Sequence, residues 1–190
     1  MDVPLPRPSP LVRIPEGSAP DLKNKSFGIS AVVDIPEGGA EGVLMTQGGR
    51  FAGVGLYVLD GRPVFHYNLC GVERYTVAGE EKLAAGRHVV TLDFNYDGGG
   101  VGKGGTATLT VDGKAVASGK IPKTIAFRMS LDETLDIGQD TGTPISEDYH
   151  VPFDFTGTLE KVTIHVAEQK LTDEELRQYR EGRLKAALAQ

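Results

Sequence analysis

Hydrophobic and polar residues alternate along most of residues 26–166, a pattern typical of β-strands with one buried face. Successive side chains of a strand point to opposite faces, so Phe27, Ile29, Ala31 and Val33 share one face of the first strand. The same kind of pattern predicts further strands at residues 43–45, 55–59, 63–69, 88–96, 106–111, 115–117 and 161–166.

Two Asp-Gly pairs divide these strands into hairpins. Asp60-Gly61 and Asp112-Gly113 each stand between two apolar runs, where a type I′ turn needs positive φ at both central residues. Strands at regular intervals, with no helical pattern between them, predict two packed antiparallel sheets. The expected fold is therefore an all-β sandwich or jelly roll.

The two ends of the chain depart from the alternation. Prolines at positions 4, 6, 8 and 10 fix φ and remove backbone donors, which predicts an extended strap or linker over residues 1–24. Near the other end, Thr172 is the predicted N-cap of a helix, and Glu175 completes a capping box. The predicted organisation is a strap at 1–24, a sandwich at 25–167 and a C-terminal helix at 168–190.

The predicted helix carries a broken apolar stripe made up of Leu176, Tyr179, Leu184 and Leu188. Gly182 interrupts this stripe, at a cost of ~1 kcal/mol relative to alanine. Such a helix is too weak to stand free, so we expect it to dock on another surface. A homo-oligomer formed through the helix is one such arrangement.

Composition and charge narrow the classes of partner. The formal net charge of −6 and a pI near 5.2 argue against nucleic-acid and anionic-membrane partners, which favour basic faces. No apolar run approaches the ~20 residues of a membrane span, and the N-terminal stretch has no signal-peptide core. We expect a cytoplasmic protein as the sequence is written, and a periplasmic or secreted one if it is a fragment of a longer precursor.

The only cysteine, Cys70, precedes Arg74 by four residues. Sulfatases mature their catalytic residue within a Cys/Ser-x-Pro-x-Arg signature, but Val72 stands where that signature has proline. Sulfate-ester hydrolysis also needs a metal held by clustered carboxylates. Such a metal site normally lies on an α/β scaffold, which we do not expect in an all-β domain of this length. We therefore interpret Cys70 as a small buried residue near the end of a strand and predict no catalytic residue.

Longer stretches of the chain resemble a known family. The run "RIPEGSAPDLKNKSFGISAVVDIPEGG", followed by "YDGGGVGKGGTATLTVDGKAVASGKI" and "FTGTLEKVTIHV", is similar to the C-terminal domain of large bacterial arylsulfatases. The resemblance covers roughly residues 13–166. It implies a concanavalin-A-like or laminin-G-like sandwich that lies downstream of the catalytic machinery. The implied partner is a sulfatase catalytic domain or subunit, and the chain itself is expected not to be an enzyme.

An acid-rich stretch and a set of tyrosines are the candidate site residues. Carboxylate oxygens crowded onto a loop suit calcium, and the possible ligands are Asp132, Asp136, Asp140 and Asp148. The alternative is that these residues only cap turns. Aromatic rings could bind a sugar or a partner, and the possible residues are Tyr57, Tyr67, Tyr75 and Tyr149. Packing within the sheets is the alternative for Tyr57 and Tyr67.

Two functions follow from these observations. The first is a non-catalytic accessory domain that docks to a sulfatase catalytic partner or oligomerises. The alternative is a stand-alone, lectin-like carbohydrate-binding module. We expect no cofactor to be required, and calcium is the one candidate.

Overall fold

The computed structural model describes residues 10–129, 133–169 and 171–188. Within them the chain forms two antiparallel sheets and one α-helix. The strands are β1 (Leu11–Pro15), β2 (Phe27–Ile35), β3 (Gly42–Gly48), β4 (Gly53–Leu59), β5 (Arg62–Leu69), β6 (Glu73–Ala78), β7 (Gly86–Tyr96), β8 (Lys103–Val111), β9 (Lys114–Lys123), β10 (Thr134–Ile137) and β11 (Thr158–Val166). The helix is α1 (Asp173–Leu188).

The sheets pack face to face. One has the strand order β1-β10-β3-β4-β5-β6 and the other β11-β2-β7-β8-β9. The alternation of β2 behaves as predicted, since its odd-numbered residues from Phe27 to Ile35 are buried and the side chains between them are half-buried or exposed. The rings of Phe27 and Phe94 stack across β2 and β7 with centroids 5.0 Å apart. The predicted fold, a jelly-roll sandwich of two antiparallel sheets with a C-terminal helix, is confirmed.

Three hairpin turns have the same backbone conformation. Asp60 and Gly61 have φ of 50° and 79°, and Asp112 and Gly113 have φ of 52° and 79°, as the Asp-Gly prediction requires. Cys70 and Gly71 form the third turn, with φ of 54° and 68°. Cys70 is exposed in this turn, so its interpretation as a buried residue was wrong.

Three strands were missing from the prediction: β1, β6 and β10. Of these, β1 lies in the stretch predicted as a strap, and it pairs with β10 at the edge of the six-stranded sheet. An edge is where a strand that ends in proline is tolerated, because one side of an edge strand needs no backbone donors. Residues 1–9 of the predicted strap lie outside the described residues.

The helix begins as the sequence predicts. The Thr172 backbone amide donates to Glu175 Oε2 at 2.7 Å, and the Glu175 amide donates back to Thr172 Oγ1 at 3.3 Å, completing the capping box. Tyr179 is buried against Phe127, with ring centroids 6.2 Å apart. The rest of the predicted apolar stripe is not fully covered.

Leu184 and Leu188 of that stripe are 60% and 76% exposed.

The described residues contain no helix with the length and apolar character needed to cross a bilayer.

Candidate ligand-binding site

The predicted tyrosines do not form an exposed surface. Tyr57, Tyr67 and Tyr149 are all buried, and Tyr75 is half-buried with its hydroxyl bonded to Glu73. Tyr67 lies in the core between the sheets, where its hydroxyl accepts a hydrogen bond from the Ile125 amide at 2.8 Å. Tyr57 and Tyr149 pack together elsewhere, edge to face, with centroids 5.3 Å apart.

Three of the carboxylates predicted as calcium ligands accept hydrogen bonds from neighbouring residues of the chain. Asp136 accepts hydrogen bonds from the Arg13 amide and from Thr141, and Asp140 accepts one from the Tyr149 hydroxyl at 2.6 Å. Asp148 accepts one from Ser146 at 2.6 Å.

Asp132 lies outside the described residues. Among those described, no group of three or more histidine, cysteine, aspartate or glutamate side chains is placed to hold a metal ion. Calcium binding therefore stays a prediction. The exposed Cys70 likewise belongs to no group of metal-binding side chains in the described residues.

Residues 138–157, which we call the arm, cover the outer face of the six-stranded sheet. Ile145 and Tyr149 of the arm form a second, smaller hydrophobic cluster with Val43, Tyr57 and Val64, separate from the core between the sheets. The arm lies almost on the backbone of β4, since a Cβ added at Gly55 would stand 2.8 Å from Ile145 Cγ2. As a result, every residue of β3 is buried.

Two buried polar atoms on this covered face make no hydrogen bond of good geometry within the described residues. They are His66 Nε2 on β5 and Tyr57 Oη on β4. Burial raises the pKa of the tyrosine, and the Ser146 hydroxyl of the arm is close enough to it to act against that larger upward effect. Burial lowers the pKa of His66 to about 4, so the imidazole is neutral at physiological pH. An unsatisfied buried polar group costs about 1–3 kcal/mol, so such groups are uncommon without a reason.

An exposed aromatic ring stands at one end of the same sheet. Of the large hydrophobic side chains exposed in the described residues, Phe51 is the only aromatic, at 71% exposure, and Val72 is the most exposed, at 83%. Phe51 lies in the β3–β4 loop and Val72 follows the β5–β6 turn. The two loops are adjacent, since a Cβ added at Gly71 would lie 3.9 Å from the Phe51 carbonyl oxygen. We call residues 49–52 and 70–72 the loop tip.

Asn68, which is fully buried, fixes both halves of the loop tip. Its Nδ2 donates to the carbonyl oxygens of Gly49 at 3.0 Å and Arg50 at 2.8 Å, and its Oδ1 accepts from the Gly71 amide at 2.9 Å. The arm adds a further bond, from the Arg50 amide to Thr143 Oγ1 at 2.8 Å. The ring of Phe51 is therefore carried by a loop whose backbone is held in place.

Two arginines lie in the loop tip or on the strand next to it. Arg50 belongs to it, and Arg74 stands directly opposite Asn68 on β6. Arg74 Nη2 pairs with Glu147 Oε1 of the arm at 3.2 Å. The tip thus combines an exposed ring with guanidinium groups.

Two other clefts lie away from the loop tip. The larger, about 590 Å³, lies at the opposite end of the sheet beside the Asp60-Gly61 turn and has no aromatic side chain in its lining. A cleft of about 400 Å³ lies beside α1. Lys23 within it is buried and pairs with Glu16 at 2.6 Å and Asp21 at 2.8 Å, as expected of a seam between the helix and the sandwich.

Comparison with known proteins shows relatives in fold. Neither protein-family models nor curated proteins gave a match to this sequence. Among solved structures, domains LG4-5 of the mouse laminin alpha1 chain match 84% of this chain with a TM-score of 0.55 and 16% identity. The IT-sialidase CBM40 of Ruminococcus gnavus, bound to alpha2,3 sialyllactose, matches 82% with a TM-score of 0.53 and 14% identity.

A third similar structure is the receptor binding domain of botulinum neurotoxin C/D mosaic serotype, with a TM-score of 0.52 and 14% identity over 84% of this chain. This chain spans 40% of the laminin chain and 36% of the neurotoxin chain, but 83% of the CBM40 chain. At these identities the likeness establishes a laminin-G-like and CBM40-like jelly roll. It gives no support for the arylsulfatase resemblance.

Phe51 was not among the residues singled out from the sequence. It stands in the run Gly48-Gly49-Arg50-Phe51-Ala52-Gly53, where glycines flank a single aromatic residue. An aromatic residue in a glycine-bounded turn has little chance of a strand-face environment, and this pattern could have identified it.

Proposed function

We propose that this chain is a non-catalytic, lectin-like carbohydrate-binding module that binds a saccharide at the loop tip. The observation that carries the proposal is Phe51, a largely exposed ring on a loop held by the buried Asn68. A ring of this kind offers a flat apolar face to the C–H groups of a sugar. Because the loop is already ordered, little conformational entropy is lost on binding.

Two further features support this function. Arg50 within the loop tip and Arg74 on β6, which pairs with Glu147, supply guanidinium groups, and such groups bind sugar hydroxyls and, more strongly, carboxylate or sulfate groups. The fold relatives include a CBM40 bound to sialyllactose and a receptor binding domain, and on this chain the same framework would present a ligand at its loops. The ligand class we favour is therefore an acidic glycan.

The experiment is a glycan array with neutral, sialylated and sulfated saccharides, followed by calorimetry on the strongest binder. Phe51→Ala should weaken binding at least tenfold, because burial of an aromatic ring contributes roughly 1.5–3 kcal/mol. Phe51→Tyr keeps the ring and should bind within about threefold of wild type. Leu184→Ala removes a similarly exposed apolar side chain from α1 and serves as the control, with no change expected.

Calcium is tested in the same assay, since the array is read with calcium and with a chelator. An array without binders, or equal affinity for wild type and Phe51→Ala, would contradict the proposal.

A second candidate function comes from the sequence resemblance to arylsulfatase C-terminal domains. Under it the chain docks to a sulfatase catalytic domain or oligomerises, and the exposed Leu184 and Leu188 at the end of α1 give it an apolar surface for that contact. This candidate predicts a blank array and no role for Phe51. The array therefore separates the two functions.

A further inference from the structure

One row of the covered face beneath the arm is polar, beside the small hydrophobic cluster that the arm forms with β3, β4 and β5. Thr46, Gly55, His66 and Thr76 stand directly opposite one another on β3, β4, β5 and β6, so their side chains share one row across the sheet. We call these four residues the polar row. Its members offer hydroxyl and imidazole groups on either side of a glycine, which leaves a flat gap between them.

The polar row continues the loop tip along the same face. The adjacent row consists of Gly53, Asn68 and Arg74, and Asn68 is the residue that holds the tip. Glycines occupy β4 in both rows, so the backbone there is bare. At its β6 side the row is open to solvent, because Thr76 and Arg74 are exposed.

The arm covers the glycines of this row. A Cβ built at Gly53 would stand 2.9 Å from Ile145 Cδ1, so Ile145 fills the gap that both glycines leave. The arm is joined at its base by paired backbone hydrogen bonds between Asp140 and Phe153, at 3.3 and 3.2 Å. Lifting the segment between these two residues keeps the strand pairing of the sheet, but it breaks the arm's hydrogen bond to the Arg50 amide and its ion pair with Arg74, and it exposes the small hydrophobic cluster.

The unpartnered atoms lie on this covered face. His66 Nδ1 is 3.0 Å from Thr76 Oγ1, which leaves Nε2 without a partner in the described residues. Tyr57 Oη, on the same face of β4, also makes no hydrogen bond of good geometry, and the polar group beside it is the Ser146 hydroxyl, which leaves with the arm when the arm lifts. A sugar hydroxyl both donates and accepts, so it satisfies the tyrosine hydroxyl and either tautomer of the neutral imidazole.

We propose that the polar row, with Tyr57, is a second subsite that binds the hydroxyl groups of an oligosaccharide when the arm lifts. The inference rests on the proposed function, since the same chain of sugars would stack on Phe51 and extend onto the row. The ligand is therefore an oligosaccharide, because a single sugar would occupy only the loop tip.

The test is to fasten the arm with a disulfide. Gly55→Cys with Ile145→Cys, in a Cys70→Ser background, places the two Cβ atoms 3.7 Å apart, within the range that disulfides adopt. Diethyl pyrocarbonate then reports the exposure of His66 by mass spectrometry, with the exposed His150 and His165 as internal controls. His66 should react at least fivefold faster after reduction of the disulfide than before.

Binding is measured on the same protein with the strongest array oligosaccharide and with its terminal monosaccharide alone. The oligosaccharide should bind at least tenfold more weakly to the oxidised form, recover on reduction, and protect His66 from the reagent. The monosaccharide should bind both forms equally. If the double-cysteine variant does not fold, Ile145→Ala loosens the arm instead and should raise both His66 reactivity and oligosaccharide affinity.

The outcomes separate the two proposals. Equal oligosaccharide binding to the oxidised and reduced forms would overturn the subsite and leave the tip intact. His66 that is as unreactive in the reduced as in the oxidised protein would show that the arm stays down, and would likewise overturn it. A lifting arm together with a blank array would overturn the subsite along with the proposed function.

Discussion

Asn68 shows how one buried amide places an exposed ring. Its three hydrogen bonds join the β3–β4 loop to the β5–β6 turn, and each bond uses a backbone group that would otherwise need water. The side chain lies in a strand predicted from alternation, but two of its three partners are 18 and 19 residues away in sequence. Alternation predicts the face on which Asn68 lies and carries no information on what that face meets.

Asp140 is the residue whose ionisation is coupled to the arm. Burial raises its pKa to about 6, and the neighbouring Asp136 and Glu133 act in the same direction, while the Tyr149 hydroxyl acts against them. A pKa raised above the unfolded value means that the stabilisation is complete below about pH 4 and is lost as pH rises through 6. The docked arm is therefore stabilised by acid.

Asp140→Asn removes this titration and keeps a carbonyl oxygen for the Tyr149 hydroxyl, while the Gly142 amide, which donates to the other carboxylate oxygen at 3.3 Å, loses its acceptor. That loss is the same at every pH, so we expect the free energy of unfolding of the variant relative to wild type to be roughly 2–3 kcal/mol higher at pH 8 than at pH 4. Urea denaturation at intervals between pH 4 and 8 measures the difference, in which other titrating groups cancel. If the difference in free energy of unfolding between Asp140→Asn and wild type did not change with pH, the proposed effect of Asp140 ionisation on stability would be contradicted.

At the scale of elements, alternation predicted the strands that have one solvent face. It did less well for β3, whose residues are buried on both faces. The run Val43-Leu44-Met45 is continuously apolar, which is the pattern of a strand covered on both sides. That pattern could have indicated a covering segment, but not which one, since the arm contains no regular strand or helix and its acidic residues suggested a metal loop.

The helix gives a second example of an element decided by packing. Gly182 weakens α1 by propensity, yet a Cβ added there would lie 2.4 Å from Phe127 Cε1. Glycine thus lets the helix approach the ring that packs on Tyr179. The cost in propensity could be read from the sequence, and the close approach that explains the glycine could not.

Gly182→Ala tests this reading of the helix. Propensity alone would stabilise the protein by about 1 kcal/mol, whereas the clash with Phe127 should outweigh it and destabilise by about 1–3 kcal/mol. Hydrogen exchange over Asp173–Leu188 measures the result, with faster exchange expected. Glu181→Ala, at an exposed neighbouring position, changes propensity without the clash and should slow exchange slightly. Slower exchange in Gly182→Ala would mean that the helix does not rest on Phe127.

At the scale of the whole molecule, the two ends of the six-stranded sheet differ. The end beside the Asp60-Gly61 turn has a wide polar cleft with no aromatic lining, while the other end has the loop tip with Phe51 and Val72. Strand β5 joins them, and its 8 residues place the ends roughly 25 Å apart. The sandwich could be predicted from strand spacing, but this difference between its ends depends on how the loops pack.

Cys70 and Asp60 allow the position of the site to be tested on the whole molecule. Both begin tight turns with positive φ, of 54° and 50°, at opposite ends of β5, and both are exposed. Cys70 is the only cysteine of the chain and belongs to the loop tip. A bulky maleimide attached to Cys70 should therefore obstruct a saccharide stacked on Phe51 and lower its affinity at least tenfold.

The matched control moves the cysteine to the other end, as Asp60→Cys with Cys70→Ser, and attaches the same maleimide. Affinity for the array saccharide should then stay within about twofold of the unlabelled protein, because the label is a full strand length, roughly 25 Å, away from the loop tip. Small alkylation of Cys70 with iodoacetamide separates bulk from loss of the thiol and should leave binding intact. If the label at residue 60 were the one that blocked binding, the polar cleft beside it would be the saccharide site, and Phe51 would have to be explained by some other contact.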